Sequence, residues 1–374
     1  MTRPLHALHR DRLGAQDILV QTGALFLSAY RELNARKLFW VALVLNALVI
    51  GAVALVGIDE KGVTVAGYEL GIPGVTTKVF PDGQLYKLII TSVGVGFWLS
   101  WLSTILALLS TASIFPDLAS GGVDTLLSKP VGRTRLIVTK FATGLLFTAL
   151  QVGVFAVLAF LVLGIRGGVW ELGIFVVVPL MVVFFSYLFA VQALVGLLTR
   201  SPIASVIVTL LFWIFIFLVH SGEQFTLLGR TFSRLEIAGI ERKLETLQTE
   251  EAKSGLLPRL EEQRGDDANW RLAHGIFFAF KTALPKTTET ASLVARELEV
   301  RMSDAQPDEE PAEDENMRRQ RGFFRSQFVS ERKLRAAMEE EMARRPVWWV
   351  VGTSLVFEAA VLGIGAWYFR RRDY

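Results

Sequence analysis

The 374-residue chain is 52% hydrophobic, has a mean hydropathy of +0.43 and carries a formal charge of only +3. Soluble proteins have about 45–50% apolar residues and about a quarter charged, against 20% charged here, so much of this chain is not built for water. Cysteine is absent, which excludes a disulfide framework, a thiolate metal site and a cysteine nucleophile.

Among the four histidines, His6, His9, His220 and His274, only His6 and His9 are closely spaced, and they lie in a ragged N-terminal stretch, so no metal site is expected. No glycine-rich loop followed by Lys-Ser/Thr occurs, so the part that would grip ATP phosphates is missing. A Gly-x-Ser-x-Gly elbow is missing too, and the enzyme reading is weak from the outset. No cofactor is expected on this chain, and nucleic acid is not among its expected partners.

In chain order, residues 1–37 form a cytoplasmic tail with an interfacial amphipathic helix. In "AQDILVQTGALFLSAYRELNARK", Ile18, Leu25, Phe26, Ala29 and Leu33 fall on one helical face, while Arg31, Glu32, Arg36 and Lys37 mark the water boundary. Nothing resembles a cleavable leader, because the first long apolar run begins only at Leu38. A bilayer core of about 30 Å needs ~20 apolar residues at 1.5 Å each. Six runs meet or approach that length: Leu38–Ile58, Leu88–Phe115, Phe141–Ile165, Leu172–Thr199, Ile203–Val219 and Val347–Phe369. The expected fold class is therefore an all-α polytopic membrane protein, with spans one to five in 38–220 and span six in 347–374.

Orientation follows from lysine and arginine in the short loops. With both termini in the cytoplasm, the inner segments carry fourteen and the two short outer loops four (Lys61, Lys78, Lys87 and Arg166). Residues 221–346 are then extracytoplasmic, with 24 acidic and 21 basic residues. This insert reads as mainly helical. Leu235, Ile240, Leu244 and Leu247 share a face and Ser254-Gly255 breaks the pattern, while 303–316 is a flexible acidic strip without apolar periodicity. "IFFAFKTALP" at 276–285 is too short to span and is expected on the outer membrane face or under the insert.

Between spans two and three lies "FPDLASGGVDTLLSKPVGRTRLIVTK", residues 115–140. Val123, Leu126 and Leu127 give one short apolar face, and Lys129-Pro130 ends that turn because the residue before proline avoids helical geometry. A short helix held across the ends of two membrane helices can pass movement from a soluble partner into the bilayer. Here the chain resembles the permease subunits of type-two ABC transporters, mostly exporters. Gly122, Asp124, Leu126, Leu127, Ser128, Lys129, Pro130, Val131, Arg133 and Lys140 match that family's loop; Gly132 and the upstream Asp117 depart from it. The tail "AWYFRRRDY" is similar to the family's closing motif, and the likeness covers 15–220 and 347–374, leaving the 126-residue insert unaccounted for.

The resemblance implies a half-transporter in the plasma (inner) membrane that dimerises with a second copy or a paralogue. It also implies a separate ABC ATP-binding subunit carrying ATP and magnesium, docked on the 115–140 coupling loop. Asp124, Lys129 and Arg133 would make polar contacts with that subunit, Leu126 and Leu127 would supply buried area, and Pro130 would set the turn. Anionic lipid is an alternative partner for Lys129 and Arg133.

Inside the spans, Glu358 is a mid-depth carboxylate, which insertion scales place at roughly 2.5–3.5 kcal/mol of cost for Asp. It is read either as a translocation-path residue or proton carrier, with Gln151 and Gln192 as further polar candidates for the path, or as a protonated acid hydrogen-bonded to Gln151, Gln192 or Asn46. Pro179 is expected to kink span four or mark a re-entrant break. Gly94 and Gly96 in span two and the Ala359/Gly363 spacing in span six read as close helix packing. Two further functional readings stand beside the permease: a scaffold whose insert regulates an envelope partner without transport, and an intramembrane enzyme using Glu358, which lacks a second catalytic group.

Overall fold

The computed structural model describes residues 37–59, 62–69, 83–119, 133–248, 253–298 and 329–371. Among the described residues the architecture is all-α apart from one small sheet, with six helices long and apolar enough to cross a membrane. They are α1 (Lys37–Leu55), α2 (Gln84–Ala119), α3 (Arg133–Gly167), α4 (Leu172–Thr199), α5 (Pro202–Thr246) and, after three shorter or polar helices, α9 (Val347–Arg371). Between α5 and α9 lie α6 (Leu257–Ala283), α7 (Thr287–Glu297) and α8 (Glu331–Ala343). The amphipathic segment before span one and the acidic strip 303–316 lie outside the described residues.

Two boundaries differ from the hydropathy reading. Span one stops at Leu55 instead of Ile58, because Val56–Asp59 (β1) pairs antiparallel with Gly62–Val65 (β2), and β2 with Tyr68–Glu69 (β3). Ala66 and Gly67 turn β2 into β3 with φ of 52° and 87°, the left-handed pair that matches strand twist in a two-residue hairpin. Span five does not end near His220 but continues unbroken to Thr246. Nothing from Val219 to Thr246 interrupts a helix except three isolated glycines, so the helix leaves the apolar run without changing conformation.

Helix ends follow local chemistry. Ser201 caps α5 by accepting from Ala204 N at 3.3 Å, and Pro202 takes the first helical position, where its missing N–H costs nothing. Glu171 caps α4 by accepting from Gly173 N and pairs with Lys87 at 2.8 Å, tying the starts of spans two and four together. Span four begins as a 3₁₀ turn, Leu172–Val176, and becomes α-helical at Val177, so Pro179 sits in the first α turn, where proline is tolerated.

Span four is the buried centre of the bundle. Phe189 stacks on Phe141 (5.1 Å) and Phe185 (5.2 Å) and tilts against Phe115 (5.6 Å). Gly144 of α3 makes room, since a Cβ there would overlap the Phe189 ring. Within a bilayer such contacts replace the hydrophobic effect as the cohesive force, because lipid tails are as apolar as the side chains. Polar links add to them. Asn46 of α1 accepts from Trp98 Nε1 at 2.6 Å and donates to the Gln151 carbonyl at 3.0 Å, joining three spans.

Beyond the apolar part of span five, α6 runs back along α5. Gly222 and Gly229 leave space for Phe277 and Trp270, and Arg264 meets Glu241 at 2.8 Å farther out. "IFFAFKTALP" is thus the end of a 27-residue helix, with Phe277 turned to α5 while Ile276 and Phe280 are exposed.

Candidate functional site

After Leu284 and Pro285 the chain reverses, and α7 packs among spans two, four and six. Two features fix it there. The first is a buried cluster of charge. Glu289 of α7 and Glu223 of α5 share Lys281 of α6 and Arg345 at the entrance to span six; Lys281 Nζ lies 2.6 Å from Glu223 Oε2, and Arg345 Nη1 3.5 Å from Glu289 Oε1. His220 Nδ1 stands 3.3 Å from Glu289 Oε1 and His274 Nδ1 3.9 Å from Glu223. Lys281 is 3% exposed and Glu223 0%, so each charge is stabilised by its neighbours and not by water. Burial alone would raise the Glu289 carboxyl, but the adjacent His220 and the Lys281 charge outweigh it and hold the group well below its ordinary value. Burial lowers His274, which keeps that ring neutral near pH 7.

His220, Glu223 and Glu289 bring ligand atoms within 4.8 Å of one another, the spacing a metal ion needs. Two fixed cations, Lys281 and Arg345, already lie against the same carboxylates, so the donor set is neutralised from within the protein and does not fit a divalent cation.

The second feature is Lys286, the residue before α7. Its backbone N–H donates to Ser354 Oγ at 2.9 Å, and its ammonium donates to Thr353 Oγ1 at 2.6 Å and lies 4.4 Å from the Trp349 ring. The side chain is buried, and burial pushes its pKa down to about 8. Below this contact a polar seam runs into the bundle. Tyr187 of span four lies beside Thr290 of α7 and Ser354 of span six, and one turn farther Glu358 accepts from Ser186 Oγ at 2.6 Å.

Facing α7 on its other side is an unusual stretch of span two. Ile90–Ser103 is a π-helix of 14 residues, flanked by α-helical turns. Ser100 and Thr104 donate to carbonyls five residues back, Val95 O and Leu99 O, both at 2.8 Å, which supports the wider winding. Such widening usually occurs as single turns and clusters at functional sites. Between this stretch, span five and α7 is a cleft of about 250 Å³. Its lining combines aromatic rings, with Trp101 stacked on Trp213 at 4.8 Å, and hydroxyls.

The polar residues singled out in the sequence are dispersed through the bundle. Gln151 donates to Ser103 Oγ at 2.6 Å, joining spans two and three, and Gln192 donates to the Leu108 carbonyl at 2.8 Å, joining spans two and four. Neither reaches Glu358, whose partner is Ser186. Gly94 abuts Phe155 of span three, whereas Gly96 opens on the cleft. Ala359 and Gly363 are exposed, and the glycine of span six that packs within the chain is Gly365, against Leu194 and Leu197. Asp124, Leu126, Leu127, Lys129 and Pro130 lie outside the described residues; Arg133 is the first residue of α3.

Sequence reasoning missed the charge cluster and the cleft. A signal for the first was present: Glu223, Lys281 and Arg345 each stand at the edge of an apolar run, with opposite signs on runs that later meet. The π-helix had no comparable signal, since its hydroxyls serve α-helices equally well.

Residues 33–216 match the family model described as ABC-2 family transporter protein. The chain carries an ABC-2 transporter domain. No curated protein and no solved structure matches it. The ABC-2 domain takes in spans one to four and most of the apolar part of span five, and supports the reading of this protein as a membrane permease component of an ABC transporter. Beyond the matched residues come α6, α7, α8 and span six, so the cleft is lined partly by the ABC-2 domain and partly by α7.

Proposed function

We propose that this chain is the membrane-spanning subunit of an ABC exporter, driven by an ATP-binding subunit on another chain and completed by a second permease copy or paralogue. The observation that carries this reading is the ABC-2 match over 33–216, joined to a loop that holds Gly122, Asp124, Leu126, Leu127, Lys129, Pro130 and Arg133 in the family's order. No phosphate-binding loop occurs in the sequence, which agrees with a motor on a different chain. The positive charge of the short loops favours cytoplasmic termini in the plasma membrane, with the insert outside. In the mechanism, closure of the ATP-bound partner pushes on 115–140 and tilts spans two and three. The permease dimer then shifts between inward- and outward-open populations. Glu358, Gln151 and Gln192 are assigned to the moving helix contacts near the translocation path.

The test is purification of the tagged protein in mild detergent, wild type beside Leu127→Asp/Arg133→Glu. An ABC ATPase subunit should accompany the wild type in stoichiometric amount and be lost from a variant that still inserts and folds. Absence of the ATPase from well-folded wild type would remove the motor. A non-transporting scaffold would then take precedence, a role favoured by the α5–α6 hairpin. From residue 223 to Thr246 α5 extends about 36 Å at 1.5 Å per residue.

A further inference from the structure

We propose that the cleft between α7 and span two is a binding site for the uncharged, hydrogen-bond-donating head group of an amphiphile. Calling that amphiphile a transported one rests on the permease reading above; the binding site itself does not.

The chemistry of the lining carries the assignment. No Asp, Glu, Lys, Arg or His is among the described residues lining the cleft, so an ionic head group would find no counter-charge there. Hydroxyls are abundant, and several have their hydrogens committed. Thr91 donates to Lys87 O at 2.8 Å, Ser100 to Val95 O at 2.8 Å and Ser292 to Glu289 O at 2.8 Å. A hydroxyl that has given its proton to a backbone carbonyl still offers lone pairs, so these three present acceptors. A ligand complementary to these three therefore donates, as sugar hydroxyls or amide N–H groups do, while Ser92, Thr287 and Thr288 add hydroxyls that can accept as well. Trp101, Trp213 and Phe217 provide flat apolar surface on which a ring or the start of an acyl chain can rest.

Size sets a second limit. About 250 Å³ is below the ~300 Å³ at which sites for whole drug-sized ligands begin, so the cleft takes a head group and leaves the remainder of the molecule outside. Exposure agrees: Ser92 and Gly96 on span two and Thr288 and Ser292 on α7 are accessible from the open side. Polar groups exposed on a membrane helix are costly when they face lipid alone. The position of α7 is fixed from the opposite side by Glu289 in the charge cluster, so its Thr288/Ser292 side is held toward span two without a ligand.

Because the chain has no cysteine, single cysteines are unique labels. Full-length Ser92→Cys, Thr288→Cys and Ser292→Cys would be expressed beside Val93→Cys and Phe97→Cys, which are exposed on the neighbouring face of span two. Sheared membranes, in which both faces are reachable, are treated with a charged methanethiosulfonate. The three cleft positions should react at least tenfold faster than the two controls. Millimolar hexyl glucoside should slow that reaction at least threefold, and hexyltrimethylammonium should not. Equal rates at cleft and control positions would show that water does not enter and would overturn the site. Protection by the ammonium compound equal to or greater than that by the glucoside would overturn the uncharged class, and protection by neither would overturn ligand binding. If labelling and protection hold while no ATPase co-purifies, the binding site stands and the permease reading fails.

Discussion

Replacing Glu289 by Gln tests whether the charge cluster is what holds α7 in the bundle. In the wild type two carboxylates, Glu223 and Glu289, balance Lys281 and Arg345, all four with side chains no more than 13% exposed. Glutamine keeps the shape of the side chain but leaves a net buried positive charge. Removing one partner of a buried pair costs about 3–5 kcal/mol. At ~1.4 kcal/mol per factor of ten, that is about 10²–10⁴ in the opening equilibrium of the segment it anchors. Hydrogen–deuterium exchange read by mass spectrometry over Thr287–Glu297 should accelerate by that factor, while exchange in span four changes much less. Glu289→Leu combined with Lys281→Met removes one charge of each sign and should return α7 exchange to within about tenfold of wild type, since buried pairs are often replaceable by apolar residues. A Glu289→Gln variant exchanging within threefold of wild type would refute the argument.

The same physics gives three further expectations. Lys286→Met should flatten the pH dependence of thermal stability above about pH 8. The folded pKa, about 8, lies below the unfolded value of 10.5, so wild-type stability rises as pH climbs from about 8 to 10.5 and the ammonium is lost. Relative to the variant, the wild type should gain up to about 3 kcal/mol across that window at ~1.4 kcal/mol per pKa unit; a difference constant from pH 7 to 10.5 in thermal scans would count against it. Gly144→Val should lower the melting temperature and disturb spans three and four, at a cost of about 1–3 kcal/mol for overpacking against Phe189, readable by thermal unfolding in detergent. Asn46→Leu removes its links to Trp98 and to the Gln151 carbonyl; at roughly 0.6–1.7 kcal/mol per interhelical bond it should cost about 1–3 kcal/mol, and an unchanged unfolding midpoint would show that these bonds contribute little.

What the amino-acid order alone determined is the fold class, since mean hydropathy over ~20 residues is a local sum that needs no knowledge of neighbours. Six spans were visible this way, and the family likeness was visible in a contiguous loop because the matching residues occupy neighbouring positions. The end of span one at Leu55 was not, because Val56–Asp59 leaves the helix to pair with β2, a choice made between segments. Nor was the path of α5 beyond His220, where apolar composition ends but helical hydrogen bonding does not.

The site depended still more on the third dimension. Glu223, Lys281, Glu289 and Arg345 are spread over more than a hundred positions and become one cluster only when α6 folds back along α5 and α7 enters the bundle. Glu358 was conspicuous in the sequence, yet its partner, Ser186, is 172 residues away and was one of many serines. The cleft required span two to widen into a π-helix beside α7, a winding that depends on which carbonyl each hydroxyl selects. Hydropathy is additive along the chain and can be read there; charge pairing, cavity shape and hydrogen-bond choice depend on pairs of distant residues, and only the packed helices decide them.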